Sequence, residues 1–232
     1  MSTSAGIVRA VLFDYFGTLT PSVLAMTSAD EQRALGVALG VDPVALEAGW
    51  GTSYVERSTG RTGDLRATLR LLATRLGGDP TDAGLAEAVA IRDTAYRRSA
   101  WPRAEAPQVL GLLKARGLRL AVVSDCSDEL PELWPELPVA EFVDAPVFSA
   151  EVGVRKPDPL MYRTACTRLG VEPAECVYVG DGGSGELTGA TAMGIRAVLL
   201  ADDDWANGHR YDADDWHGDT IHRLADVPAL LD

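Results

Sequence analysis

Acidic, basic and hydroxyl side chains stand at the points where apolar runs of this chain give out. Residues 7–13 (IVRAVLF) are apolar and β-branched apart from Arg9, which predicts a buried strand; the run stops at Asp14, and Gly17 and Thr18 supply a polar turn. Residues 118–123 reach Ser124 and Asp125 in the same way. Residues 176–179 reach Gly180-Asp181, with Glu186 following, and Lys156 lies in a loop after a short predicted strand at 146–148. The carboxyl ends of parallel strands share one edge of a sheet, so these four loops can converge. A lone desolvated carboxylate is costly and needs a metal, a lysine or N–H donors. Two acids from separate loops, with a cation and a hydroxyl nearby, suit a magnesium site beside a phosphate pocket. A carboxylate there can attack phosphorus to give an aspartyl-phosphate that water later cleaves, with magnesium and Lys156 offsetting the charge.

Each of these residues also has an ordinary role open to it. Asp14 and Asp181 can cap turns, and Ser124 can cap a following helix. Lys156 can be a solvated surface charge. Glu186 suits the first turn of a helix through the dipole alone. Arg155 reads as solvated, and nothing near Cys126 marks it as a nucleophile.

The elements that must hold these loops can be read from periodicity. After Thr20 the pattern is helical for about eighty residues: 28–39 with a Ser28/Glu31 capping box, a segment from Pro43 weakened by Gly49 and Gly51, 64–76 with leucines on one face, and 81–98. These segments predict a small bundle inserted into an α/β chain. From residue 101 strands alternate with helices: helix 107–116, strand 118–123, strand 146–148, helix Pro159–Leu169, strand 176–179, helix 184–193, strand 195–200 and a closing helix Leu224–Leu231. Alternation of this kind predicts a mostly parallel α/β sheet covered on both faces. Residues 202–219 are acidic, aromatic and irregular and read as a surface loop, in which Trp205, His209 and Trp216 have no assigned place.

Composition narrows the classes. With 232 residues and 47% hydrophobic content the chain can bury a full α/β core with a small appended domain. A net charge of −13 with no basic stripe argues against nucleic acid as a partner. No apolar run is long enough to cross a bilayer, and residues 1–6 lack a signal pattern. Three cysteines at irregular spacing fit reduced thiols in the cytoplasm and lack the paired spacing of a zinc site. Oligomeric state is left open.

LFDYFGTL, VVSD, GVRKPDPLMY and YVGDGGSGELTGA, in that order, resemble the four motifs of the haloacid dehalogenase-like hydrolase superfamily. The resemblance spans nearly the whole chain, with 1–20 and 101–232 as the Rossmann-like core and 21–100 as a helical cap of the type inserted after the first motif. It implies Asp14 as nucleophile, Thr18 steadying its loop, Ser124, Asp125 and Lys156 holding the transferred group, and Mg2+ as cofactor. The ion would be bound by Asp14, the main-chain carbonyl of Phe16 and Asp181, with Glu186 one shell out.

One position departs from the phosphatase pattern. Phosphatases of the superfamily carry a second aspartate two residues after the nucleophile; here that residue is Phe16, which cannot donate a proton. General acid–base help is worth on the order of 100- to 10,000-fold, so acyl or aryl phosphates with good leaving groups are the expected substrates. The haloacid dehalogenases also lack that acid, but they are metal-free and do not keep the acidic pair of the fourth motif. The resemblance thus favours a magnesium-dependent phosphatase acting on a small phosphorylated metabolite. A metal-free dehalogenase forming an aspartyl ester is the alternative, and a fold-retaining protein with little turnover is a third. Arg57, Arg61 and Arg66 lie in or near the cap, where they can meet an anionic substrate or simply face solvent.

Overall fold

A computed structural model describes residues 7–22, 26–203, 205–207 and 210–231. The chain enters through β1 (Ala10–Phe13), makes an irregular turn at Tyr15–Leu19, and then forms five helices: α1 (Ala29–Leu39), α2 (Pro43–Thr52), α3 (Tyr54–Ser58), α4 (Leu65–Arg75) and α5 (Asp82–Ser99). It returns through α6 (Ala106–Ala115), β2 (Arg119–Ser124), α7 (Glu129–Leu133), β3 (Ala145–Phe148), α8 (Ser149–Val152) and α9 (Pro159–Leu169). β4 (Cys176–Gly180), α10 (Glu186–Ala192), β5 (Arg196–Leu200) and β6 (Thr220–Ile221) complete it. The six strands form one sheet in the order β3-β2-β1-β4-β5-β6, parallel throughout.

Continuous apolar strands make sense here because both faces are covered. Val11 and Phe13 join Val122, Val179 and the inner side of α6 in one core, while Leu12 joins Val123, Tyr178 and residues of α9 and α10 in the other. A third core lies wholly among the inserted helices, where Leu35, Leu39, Leu46, Leu69, Leu72 and Leu85 meet. The Ser28/Glu31 capping box forms as predicted. α2 runs on through Gly49 and Gly51, helped by the Asp42 cap and by Pro43 at its first position.

The structure corrects several expected boundaries. The first strand begins at Ala10, and Ile7 is 85% exposed because it lies beyond the sheet. α10 begins at Glu186 and not at 184: the Ser184 and Gly185 N–H groups donate to the Tyr211 and Asp212 carbonyls, and Ser184 takes a left-handed conformation (φ 56°). The closing segment Leu224–Leu231 is a 3₁₀-helix containing Pro228, whose missing N–H removes an α-helical bond. The described parts of 202–219 are more than a surface loop, because Trp205, Tyr211 and Asp214 contact residues at the sheet edge and in the inserted helices; His209 lies outside the described residues. No helix among the described residues is long and apolar enough to cross a membrane.

Candidate active site

β1 lies between β2 and β4, so its carboxyl end is flanked by both of theirs. Phe13 is in register with Val122 and with Val179, which brings Asp14, Ser124 and Asp181 to one edge of the sheet. This is a crevice where the strand order reverses, the usual place for ligands in such sheets. Gly17 has φ +81°, and a Cβ there would stand 2.5 Å from Asp181 Oδ2. Only glycine lets the Asp14 loop approach the Asp181 loop this closely.

Asp14, Asp181 and Glu186 are all buried, and each offers a carboxylate oxygen within 4.8 Å of the others. Lys156, also buried, donates from Nζ to Asp14 Oδ1 at 2.5 Å and to Glu186 Oε2 at 2.6 Å. Glu186 is further held by the Tyr178 hydroxyl (2.7 Å) and the Gly182 N–H (3.0 Å). Asp181 Oδ1 accepts from the Gly183 N–H (2.9 Å), and the Thr18 hydroxyl lies 3.4 Å from Asp14 Oδ2. Burial would lower the Lys156 pKa, yet Asp14 and Glu186 together hold it well above its ordinary value. Burial raises Asp14 despite the pull of Lys156. Asp181 is pushed up to about 7 by burial and by the nearby Asp14, and Glu186 goes well above the usual range for the same reasons. One lysine against three crowded carboxylates leaves an excess of negative charge, and a divalent cation would balance it. Oxygens of Asp14 and Asp181 remain without strong donors, while Glu186 is fully bonded, so the residues present fit such an ion with Glu186 in a supporting place.

The other predicted residues fall around this cluster. Ser124 Oγ is buried and makes no hydrogen bond, so it does not cap a helix. The Asp125 carboxylate accepts the Lys156 backbone N–H (2.9 Å) and thereby ties the lysine loop to the end of β2. Arg155, expected to be solvated, instead stacks over the Tyr54 ring at 4.4 Å, with its Nε 3.4 Å from Asp125 Oδ2. Cys126 is buried, and burial raises its thiol well above the ordinary value. Phe16 packs edge-on to Tyr15 and Tyr96 with ring centroids 5.2 and 6.1 Å away. Of the three cap arginines, Arg57 is buried in a cavity, Arg61 is exposed, and Arg66 pairs with Asp82 (2.8 Å).

Two joined cavities lead away from the carboxylates. The smaller, about 80 Å³, is lined by Asp14, Lys156, Asp181, Glu186 and Arg210. The larger, about 440 Å³, shares Phe16, Tyr54, Asp125, Asp181 and Tyr211 with it and extends among Trp50, Arg57, Arg92 and Tyr96. Trp205, Tyr211 and Asp214 close one side: Trp205 Nε1 donates to the Asp181 carbonyl (2.8 Å), Asp214 accepts the Leu187 N–H (2.7 Å), and Tyr211 stacks on Tyr54 at 4.2 Å. Arg210 in turn lies over the Trp205 ring at 4.2 Å. Periodicity carries no signal for these contacts, since they join loops distant along the chain.

A family model described as haloacid dehalogenase-like hydrolase matches residues 8–194, and the chain belongs to that family of hydrolases. It is 32% identical over 209 residues to a glyceraldehyde 3-phosphate phosphatase of Methanopyrus kandleri, covering 84% of each chain. It is 30% identical over 200 residues to (S)-2-haloacid dehalogenase 1 of a Pseudomonas species, covering 83% of this chain and 84% of that one. Among solved structures, the fold is similar to a 2-haloacid dehalogenase of Pseudomonas syringae (TM-score 0.72, 24% identity, 97% of this chain and 98% of that chain).

Proposed function

We propose that this hydrolase is a magnesium-dependent phosphatase acting in the cytoplasm on a small phosphorylated metabolite through an aspartyl-phosphate on Asp14. The observation that carries the reading is the trio Asp14, Asp181 and Glu186 gathered within 4.8 Å against one lysine. A metal-free nucleophile would be hindered by two acids at its side, because they hold its proton on. Magnesium bound by Asp14, Asp181 and the Phe16 carbonyl, with Glu186 behind them, would supply neutralising charge for the phosphoryl group.

Asp14 attacks phosphorus: its new O–P bond forms as the bond to the leaving oxygen breaks, and the leaving group departs with the electron pair. The unpaired Ser124 hydroxyl and Lys156 Nζ hold phosphoryl oxygens. Thr18 and Lys156 fix the carboxylate, and Asp125 fixes Lys156. Water then cleaves the acyl phosphate and restores Asp14. Phe16 gives the leaving group no proton, so acyl and aryl phosphates are better substrates than alkyl phosphates. Residues 21–100 serve as a cap, since α2, α3 and α5 supply much of the large cavity's wall.

Phe16 also favours a second reading, attack of Asp14 on the halogen-bearing carbon of a haloacid, for which no proton donor is needed. Turnover of 4-nitrophenyl phosphate with magnesium and with EDTA separates the two. Magnesium-dependent release, abolished by Asp14→Asn, is the expected result. Equal rates under both conditions, or chloride release from 2-chloropropanoate in EDTA, would overturn the phosphatase reading.

A further inference from the structure

The large cavity contains a cation that the catalytic cluster does not use. Arg57 on α3 is 6% exposed. Its Nε donates to Ser53 Oγ (3.1 Å), its Nη2 donates to the Trp50 carbonyl (3.0 Å), and its face lies 4.2 Å from the Trp50 ring centroid. No carboxylate among the described residues comes within ion-pair distance of it. Arg92 on α5 lies at the same 4.2 Å from the same ring, and it is paired with Glu129 at 2.9 Å. Of these two buried guanidinium groups only Arg92 has a carboxylate partner, and Glu129 also accepts a hydrogen bond from Ser127. Burial and the nearby Arg92 bring Arg57 down to about 10, which still leaves it charged at neutral pH. A desolvated cation with free N–H donors and no counter-ion is unfavourable unless something else supplies the anion.

We propose that Arg57 is the subsite for a carboxylate carried by the substrate, which would make the substrate class carboxylated phosphate esters or acyl phosphates. The class rests on the phosphatase reading above, whereas the anion site itself does not. Charge selects a carboxylate over a second phosphate: the excess beside Trp50 is a single positive charge, and Glu47, Asp125 and Asp181 line other walls of the same cavity. A planar guanidinium also matches the geometry of a carboxylate. Trp50, Tyr96 and Phe16 give the space between the two ends an apolar lining suited to a short carbon skeleton.

Calorimetric titration of the full chain with benzoate and with benzamide tests the site without turnover. Benzoate should bind more tightly than benzamide, and Arg57→Gln should weaken benzoate by about tenfold or more while leaving benzamide little changed. Arg57→Lys, which keeps the charge, should recover part of the loss, and circular dichroism checks that both variants fold. Equal binding of the two ligands, or benzoate affinity unaffected in Arg57→Gln, would overturn the proposal. In the activity arm, wild type should prefer 3-carboxyphenyl phosphate to phenyl phosphate in kcat/KM, and the ratio should fall toward one in Arg57→Gln. A protein inert on both phosphates that still discriminates benzoate through Arg57 would sink the phosphatase reading and uphold the site.

Discussion

At the sheet edge three carboxylates face one lysine; beneath the inserted helices two guanidinium groups face one carboxylate. Both clusters are buried, and both are unbalanced, with opposite signs. The first is assembled by strand ends whose register is fixed by the sheet, and its surplus suits a cation. The second is assembled around the Trp50 ring by α2, α3 and α5, and its surplus suits an anion. A substrate spanning the joined cavities would meet an acidic wall at one end and a cationic one at the other. Buried charge that the protein leaves unmatched points to a ligand more reliably than buried charge that is fully paired.

The largest effect should come from removing the shared cation of the first cluster. Lys156→Met leaves Asp14 and Glu186 without their common partner and should cost about 3–5 kcal/mol in denaturant unfolding. Added magnesium should restore part of that stability; no response to the ion would break the comparison. In the second cluster Glu129→Gln removes the carboxylate that pairs with Arg92 and lies near Arg57. A loss of about 2–3 kcal/mol is expected, and small carboxylates, in place of magnesium, should be the additive that restores stability.

Phe16→Asp puts a proton donor near Asp14, the proposed nucleophile. Alkyl phosphate turnover should rise by about 100-fold, with a smaller gain for aryl phosphates whose leaving groups need no acid. A wild-type enzyme already efficient on alkyl phosphates would show that another group donates the proton. The smallest effect concerns Asp128, near the second cluster, whose carboxyl is pushed up to about 6 mainly by burial. The folded state then holds this proton more tightly than the unfolded chain does. Its stabilising contribution is present below the ordinary value of 3.8 and is lost as pH rises through about 6. After allowance for half-exposure, Asp128→Asn should gain about 1 kcal/mol at pH 8 and almost nothing at pH 3.5, measured by urea unfolding at the two pH values.

The alternation of apolar strands with helices predicts a mostly parallel α/β sheet, because strands buried on both faces must be apolar throughout; that every pairing is parallel is seen only in the structure. Asp14, Ser124, Lys156 and Asp181 were legible for a related reason: polar residues at the ends of such runs fall on one edge whatever the fine packing. Glu186 was legible by motif, while its bonds to Tyr178 and Lys156 were not. Arg155 reads as solvated in the sequence, since nothing local to it announces Tyr54 or Asp125. Tyr211, Asp212 and Asp214 read as part of a plain surface loop, since their partners at Gly182–Leu187 lie twenty or more positions away.

Local pattern, then, determined the class of fold and the acids and lysine of the candidate site, through periodicity and the cost of burying polar groups. Only the tertiary structure decided which charges are matched. Whether Arg57 has a carboxylate, whether Ser124 has a donor or acceptor, and what stacks on Trp50 depend on distances between segments that the order of residues does not reveal. Charge balance in a buried pocket is a property of three-dimensional neighbours, because Coulomb energy follows separation in space and burial, not separation along the chain.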